Sequence, residues 1–257
     1  MCALPPSPPA LLRDGIAPDV LERFPGYRWG KVVVLGVDNR RAVPEIAART
    51  RAAEERLRAT FAADDVVTHP VIAAWRAAFA AFGARPSKYQ SSIEALVRRV
   101  RRGDALPAIN PLVDVYNAVS LETLLPIGGD DLARVTGSTS LRLARGDEDY
   151  LPLGEDAPHP PEPGEVIYAD EATVLCRRWC WRQGDRTKIT ADTRDVVLNV
   201  HALPPATREQ VAAACATLAD VAPRLLGGVA CWYLLEPGAA THVTSLAALR
   251  QGAGARA

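Results

Sequence analysis

The apolar positions of this 257-residue chain change their period several times, and each change predicts an element. KVVVLGVD (31–38) is a continuous β-branched run bounded by Gly30 and by Asp38-Asn39, as a buried strand is. Helical spacing follows over 43–61 and 70–83, the second stopping at Gly83. SSIEALVRRVRRG opens on serine and closes on Gly103 with arginines in its last turn, which predicts a capped helix over 91–102. INPLVDVYNAVSLET predicts another over 111–124. GSTSLRLARG (137–146) alternates as a strand does, further strands are expected at 166–169, 172–182 and 195–202, and a helix at 207–220. Helices and strands do not alternate regularly, so the pattern predicts an α+β fold and not a doubly wound sheet.

The punctuation sets the expected boundaries. The first 30 residues are broken by prolines and are expected to wrap the surface, residues 31–250 to form one domain, and 251–257 to be a flexible tail. Residues 147–165 carry seven acidic residues and five prolines and are expected to form an exposed loop.

Composition narrows the function classes. With 48% hydrophobic residues the chain can bury a sizeable core. Its 30 basic and 30 acidic residues cancel, so any hold on nucleic acid has to come from local patches. The start of the chain lacks the basic and apolar regions of a signal peptide, and no apolar run approaches a membrane span. Five cysteines without CxxC spacing read as free thiols of a reducing cytoplasm. If 172–182 is one strand, Cys176 and Cys180 stand roughly 13 Å apart, too far for a disulfide without a bend between them.

The helix expected at 111–124 is the most informative stretch. At 100° per residue, with Asn110 as zero, Asp114 falls near about +40°, Asn117 near about −20° and Ser120 near about −80°. The four form one polar stripe opposite Leu112, Val115, Tyr116 and Val119, and it lacks the Lys, Glu and Arg of a solvated face. They either bond backbone groups, as Asn110 before Pro111 is placed to do at an N-cap, or line a pocket. Gly128 and Gly129 then let backbone come close to a ligand and present N–H groups, or simply make a turn.

Two patches suit a single-stranded RNA end. CRRWCWRQGDRTKIT (176–190) interleaves Arg177, Arg178, Arg182, Arg186 and Lys188 with Trp179 and Trp181, combining charge neutralisation with flat stacking surfaces. Residues 85–102 add Arg85, Lys88, Arg98, Arg99, Arg101 and Arg102 against Glu94 alone. Core tryptophans and a solvated helix face explain the same residues. No GxSxG, HExxH, Walker A or GxGxxG motif occurs, and the four histidines lack metal spacing. Neither a metal nor another cofactor is expected, so catalysis would rest on positioning, hydrogen-bond donors and a water.

INPLVDVYNAVSLETLLPIGGDDL (109–132) resembles the signature of the B3/B4 domain found in the bacterial phenylalanyl-tRNA synthetase β subunit. The likeness continues through GSTSLRLARGDE and DRTKITADTRDVVLNV, and covers roughly residues 85–202. The resemblance implies a freestanding B3/B4-like domain with a mixed or antiparallel sheet flanked by helices. It also implies an editing pocket that hydrolyses the ester of a wrongly charged tRNA, with tRNA, through its aminoacylated 3′ end, as the partner. Carried over by position, the asparagines of the signature are Asn110 and Asn117. Two positions depart from it: the threonine before the second asparagine is Tyr116 here, and a histidine falls on Gly128.

The expected catalytic set is therefore Asn117, Asn110, Gly128 and Gly129, with Asp114, Tyr116, Ser120 and Asp131 around the substrate. Lys88, Arg98, Arg102, Arg177, Arg178, Trp179, Trp181, Arg186 and Lys188 are expected to hold RNA. An aminoacyl ester is already activated and its ribose carries a vicinal hydroxyl, so a held water and oxyanion donors suffice. The alternatives are a non-catalytic tRNA- or RNA-binding module, and an amino-acid sensor or hydrolase that uses the same pocket.

Overall fold

The computed structural model describes residues 9–61 and 66–254. Its elements run β1 (Leu11–Ile16), α1 (Pro18–Arg23), β2 (Arg28–Leu35), α2 (Pro44–Thr60), α3 (Pro70–Ala81), α4 (Ser92–Arg101), α5 (Pro111–Thr123) and β3 (Ile127–Asp131). They continue β4 (Thr139–Leu143), β5 (Val166–Ala169), β6 (Val174–Arg177), β7 (Arg182–Gln183), β8 (Asp195–Ala202), α6 (Arg208–Leu226), β9 (Val229–Leu235), β10 (Thr241–Ser245) and α7 (Leu246–Gly254). The fold is α+β. One sheet has the order β10-β1-β4-β5-β6-β7 and is mixed, since β1 and β4 run parallel; the other, β3-β8-β2-β9, is antiparallel throughout.

The central strands of the antiparallel sheet, β2 and β8, are buried on both faces, which is why they carry the apolar runs VVVL and VVL. Val32, Val34, Val196, Leu198 and Val200 pack under α5 and α6, where Leu112, Val115, Val119, Val211 and Leu218 meet them. The opposite face turns Trp29, Lys31, Asn199 and His201 toward the mixed sheet. There Trp29 meets Tyr168 of β5, and the core continues to α3 and α4 through Trp75, Phe79, Ile93 and Val97.

Several expected boundaries shift. Residues 11–29 do not wrap the surface. Paired β1 lies inside the mixed sheet, between β10 and β4, and Leu12, Val20, Tyr27 and Trp29 are buried, because those two strands pair with both edges of LLRDGI. Residues 251–254 close α7 and are not part of a tail; 255–257, like Cys2, lie outside the described residues. The loop 147–165 is exposed over most of its length, as expected, but is anchored at a few points. Tyr150, Glu148 and Glu165 are buried, and the two carboxylates pair with Arg142 and Arg177.

The strand expected at 172–182 is a hairpin, β6-turn-β7, with Arg178 at φ 45° and Trp179 at φ 66°. That turn supplies the bend between Cys176 and Cys180, and both remain free thiols, as do Cys215 and Cys231. Among the described residues, no helix is long and apolar enough to cross a membrane.

Candidate functional site

Between α4, α5, the outer strand β3 and the β6–β7 turn lies a cavity of about 290 Å³. Its walls are largely apolar and aromatic: Leu96, Tyr116, Ile127, Tyr168, Leu175, Trp179 and Trp181. Its polar groups are few and convergent, namely Asn117, Asp130, Gln183 and Asn199, together with His201 and the thiols of Cys176 and Cys180.

The asparagine-containing stripe on α5 does not face one site. Asn110 caps the helix: its Oδ1 accepts from Val113 N at 3.1 Å and Asn39 Nδ2 at 3.0 Å, while its Nδ2 donates to Ile189 O. Asn39 Oδ1 in turn accepts from Leu112 N, so the pair ties the start of α5 to the loop after β2. Ser120 donates to Leu125 O and is fully buried. Asp114 accepts from Ile109 N and borders a second cavity, of about 260 Å³, beside α2; burial raises its carboxyl above the ordinary value.

Asn117 is different. It borders both cavities, is half-buried, and its amide has no hydrogen-bond partner among the described residues. Asn110 and Ser120 are thus structural brackets, and of the stripe only Asn117 brings an unpartnered polar side chain to the first cavity. Tyr116 also lines that cavity, where its ring occupies more space than a threonine would.

Gly128 and Gly129 form part of β3 and not a turn. Strand alternation places them on opposite faces. A Cβ at Gly128 would meet nothing within 4 Å, so this face is open space in the cavity; a Cβ at Gly129 would stand 2.6 Å from Leu198 Cδ2 and 2.8 Å from Ile189 Cδ1. The N–H groups divide as well. His201 N donates to Pro126 O, and the alternation of an antiparallel ladder then commits the Gly128 N–H to Asn199. The backbone of Gly129 instead points to the outer edge, where its carbonyl accepts from Gln183 Nε2 at 2.6 Å. Asp131, expected near the substrate, caps the short turn after β3 by accepting from Ala133 N and from Thr193 Oγ1 at 2.7 Å.

The sequence reading passed over Asp130, which shares the cavity face of β3 with Gly128. Its Oδ1 accepts from Thr187 Oγ1 at 2.6 Å and Gln183 Nε2 at 3.2 Å, and its Oδ2 accepts from Asn199 Nδ2 at 3.1 Å. An indole only donates, so Trp29 Nε1 fixes Asn199 Oδ1 toward itself and thereby Nδ2 toward Asp130. Burial raises the Asp130 carboxyl to about 6, against the lowering effect of Thr187, the more distant Lys31 and Asn199. Lys31 is spent behind this layer in a 2.7 Å ion pair with Asp14, with its ammonium over the Trp29 ring. Burial and the Lys31 charge lower His201 to about 3, so its imidazole is neutral, with Tyr27 hydroxyl at Nδ1. Burial likewise raises both cavity thiols and keeps them protonated. Asp130 was legible as the alternate partner of Gly128 only once IGGDD is seen as a strand; Asn199 and His201 were visible as the polar alternates of DVVLNVHA.

The residues expected to hold RNA separate into two groups. Trp179 is core: it is fully buried against Phe24, Tyr27 and Trp75. Arg177 and Arg178 are buried too, both paired with Glu165, the former in a bidentate contact at 2.8 Å. Arg186 is tied to Asp170 and to the Arg134 carbonyl, and Lys188 to Asp185, because the expected stacking strand bends into a turn. Arg98 pairs with Glu94, and exposed Arg102 with Asp104.

Of the expected set Trp181 and Lys88 remain, and they stand with Tyr89, which the sequence did not single out. Trp181 lines the first cavity and also a shallow groove of about 440 Å³ that holds Lys88, Tyr89, Tyr150, Arg178 and Arg182 alongside Glu155 and Glu162. Within it the Arg178 guanidinium lies 3.7 Å over the Tyr89 ring. No group of three or more His, Cys, Asp or Glu residues placed to hold a metal occurs among the described residues.

Residues 74–224 match the family model of the B3/4 domain. The phenylalanine–tRNA ligase β subunit of Nitrosospira multiformis is 41% identical over 85 residues, 31% of this chain and 10% of that protein. The same subunit of Chromobacterium violaceum is 30% identical over 104 residues, 40% of this chain and 13% of that protein. The chain therefore matches only about a tenth of the length of these relatives. An N-terminal fragment of the phenylalanyl-tRNA synthetase β subunit from Pyrococcus horikoshii superposes with a TM-score of 0.45 at 12% identity, over 85% of this chain and 50% of that one.

Proposed function

This chain belongs to the B3/4 domain family, and from that premise we propose that it hydrolyses the ester of a misacylated tRNA, acting in trans in the cavity beside α5. The observation that carries the reading is Asn117: a carboxamide without a partner, on the helix of the family signature, facing an apolar cavity whose neighbouring groove is lined by Trp181 and Lys88. The family relation to synthetase β subunits supports a tRNA substrate; the cavity supports an aminoacyl group as what enters it.

Hydrolysis needs few groups. The Asn117 amide holds a water, whose oxygen bonds to the ester carbonyl carbon. The C–O bond to the ribose breaks, and the water's proton passes by way of the vicinal hydroxyl to the departing ribose oxygen. The Gly129 N–H, turned to the outer edge of β3, is a backbone donor available to the oxyanion. The terminal adenosine rests in the Trp181–Tyr89 groove, where base–aromatic stacking contributes about 1–3 kcal/mol.

The test is deacylation of a panel of correctly and wrongly charged tRNAs by the wild type and Asn117→Ala. Selective hydrolysis of one mischarged species, reduced at least tenfold in a folded variant, supports the reading. Retained tRNA binding without hydrolysis of any species makes the protein a binding module instead. That rival draws on Gly128, which stands where the family signature has a histidine.

A further inference from the structure

Among the residues lining the first cavity, Asp130 is the one side chain that carries a charge near neutral pH; no lysine or arginine lines it. Asp130 is 3% exposed, and all three hydrogen bonds of its carboxylate come from neutral donors, a hydroxyl and two amides. A buried carboxylate ordinarily finds a cation in direct contact. The nearest candidate, Lys31, is held 2.7 Å from Asp14. A bracket joining β3 to β8 and to residues 183–187 needs acceptors but not a charge, so the charge is left without a structural use.

Its surroundings show what it suits. Asp130 Oδ2 accepts a single bond, from Asn199. Beside it, Gly128 leaves open the volume that any other side chain would fill. The same cavity is lined by the Asn117 amide, without a partner among the described residues, and by the rings of Tyr116, Tyr168 and Trp181. A carboxylate, a free amide oxygen and aromatic walls together meet the needs of an ammonium group, which has three N–H donors to place and is attracted to ring faces. The same arrangement repels a carboxylate or phosphate at that depth.

We propose that Asp130 is the seat of a primary ammonium, so that the cavity selects aminoacyl groups whose α-amine is free. This deepens the hydrolase reading and rests on it for the identity of the bound group, although the ammonium site stands or falls on binding alone. With the ammonium at Asp130, the acyl side chain lies along Leu96, Tyr116 and Leu175, and the ester carbonyl is turned toward the edge of β3. A free amino acid, bringing its own carboxylate, is disfavoured, which clears the hydrolysis product from the site.

The test uses amino acid amides, which keep the ammonium and lack the carboxylate, in calorimetric titrations against the whole protein. Leucinamide and phenylalaninamide are compared with their N-acetyl derivatives and with the free amino acids. The expected result is that at least one amide binds, at least tenfold more tightly than its N-acetyl form and than the free acid, with the preference lost in Asp130→Asn. Equal binding of the acetylated form, or no binding of any amide, overturns the proposal; these outcomes need no variant and so do not depend on its folding. The two readings fail separately. Selective amide binding without tRNA deacylation removes the hydrolase and keeps the ammonium site. Hydrolysis of N-acetylaminoacyl-tRNA at an undiminished rate keeps the hydrolase and removes the ammonium site.

Discussion

Replacing Asp130 by asparagine isolates the energetic consequence of a charge held in an apolar wall. Burial raises this carboxyl from the 3.8 of an ordinary aspartate to about 6. At 1.36 kcal/mol per pH unit that difference is roughly 3 kcal/mol. Because the folded state holds the proton more tightly than the unfolded chain, the contribution is fully present below the unfolded value and is lost as pH rises through the folded one. About 2 kcal/mol of the loss falls between about pH 4.5 and about pH 8.

Asparagine does not titrate. It keeps an acceptor for Asn199 and can donate to Thr187, whose hydroxyl turns round, but it loses the 3.2 Å bond from Gln183. That loss is a constant offset of about 1 kcal/mol. Urea denaturation of both proteins across this pH range, extrapolated to zero denaturant, gives the difference directly, and other carboxylates cancel in it. The variant is expected to gain about 2 kcal/mol on the wild type from the acid end to the alkaline end. A difference that stays flat within about 0.5 kcal/mol, or moves the other way, refutes the claim that Asp130 is charged without a direct cation.

Other substitutions separate bracket from site. Asn110→Ala removes an N-cap and leaves the Ile189 carbonyl unpaired, which should cost about 2–3 kcal/mol in urea denaturation. Asn117→Ala, with no bond to lose, should stay within about 0.5 kcal/mol of wild type. Gly129→Ala presses on Leu198 and Ile189 and should lose about 1–3 kcal/mol, whereas Gly128→Ala should change stability little and weaken whatever ligand fills the cavity. Trp179→Ala should cost about 3–5 kcal/mol, measured by thermal and urea unfolding, since the ring is fully buried. Trp181→Ala should cost only about 1–2 kcal/mol, its ring being half-buried at the edge of the core beside Tyr89 and Arg178, and should show its effect in tRNA binding.

The chain itself determined the elements that carry a long period or a capping pair. The helices at 44–60, 70–81, 92–101 and 111–123 and the strands at 166–169 and 195–202 fall where the hydrophobic pattern places them. So does the Asn110-Pro111 cap, because a side chain bonding backbone three residues on is a local event. The α+β class followed from the irregular order of those elements, and the family from the 109–132 stretch.

Tertiary structure alone decided the rest. LLRDGI becomes a strand because β4 and β10 pair with its two edges, and IGGDD because β8 does, partners that lie far along the chain. Two left-handed residues at 178 and 179 bend an apparent strand, which buries Trp179 and sets Trp181 at the cavity mouth. The four residues of the polar stripe look alike on a helical wheel and differ in what packs against them. Three meet backbone donors or acceptors and are satisfied; Asn117 meets a cavity. Whether a polar side chain is bracket or reagent depends on the partners that folding brings to it, and those belong to other elements.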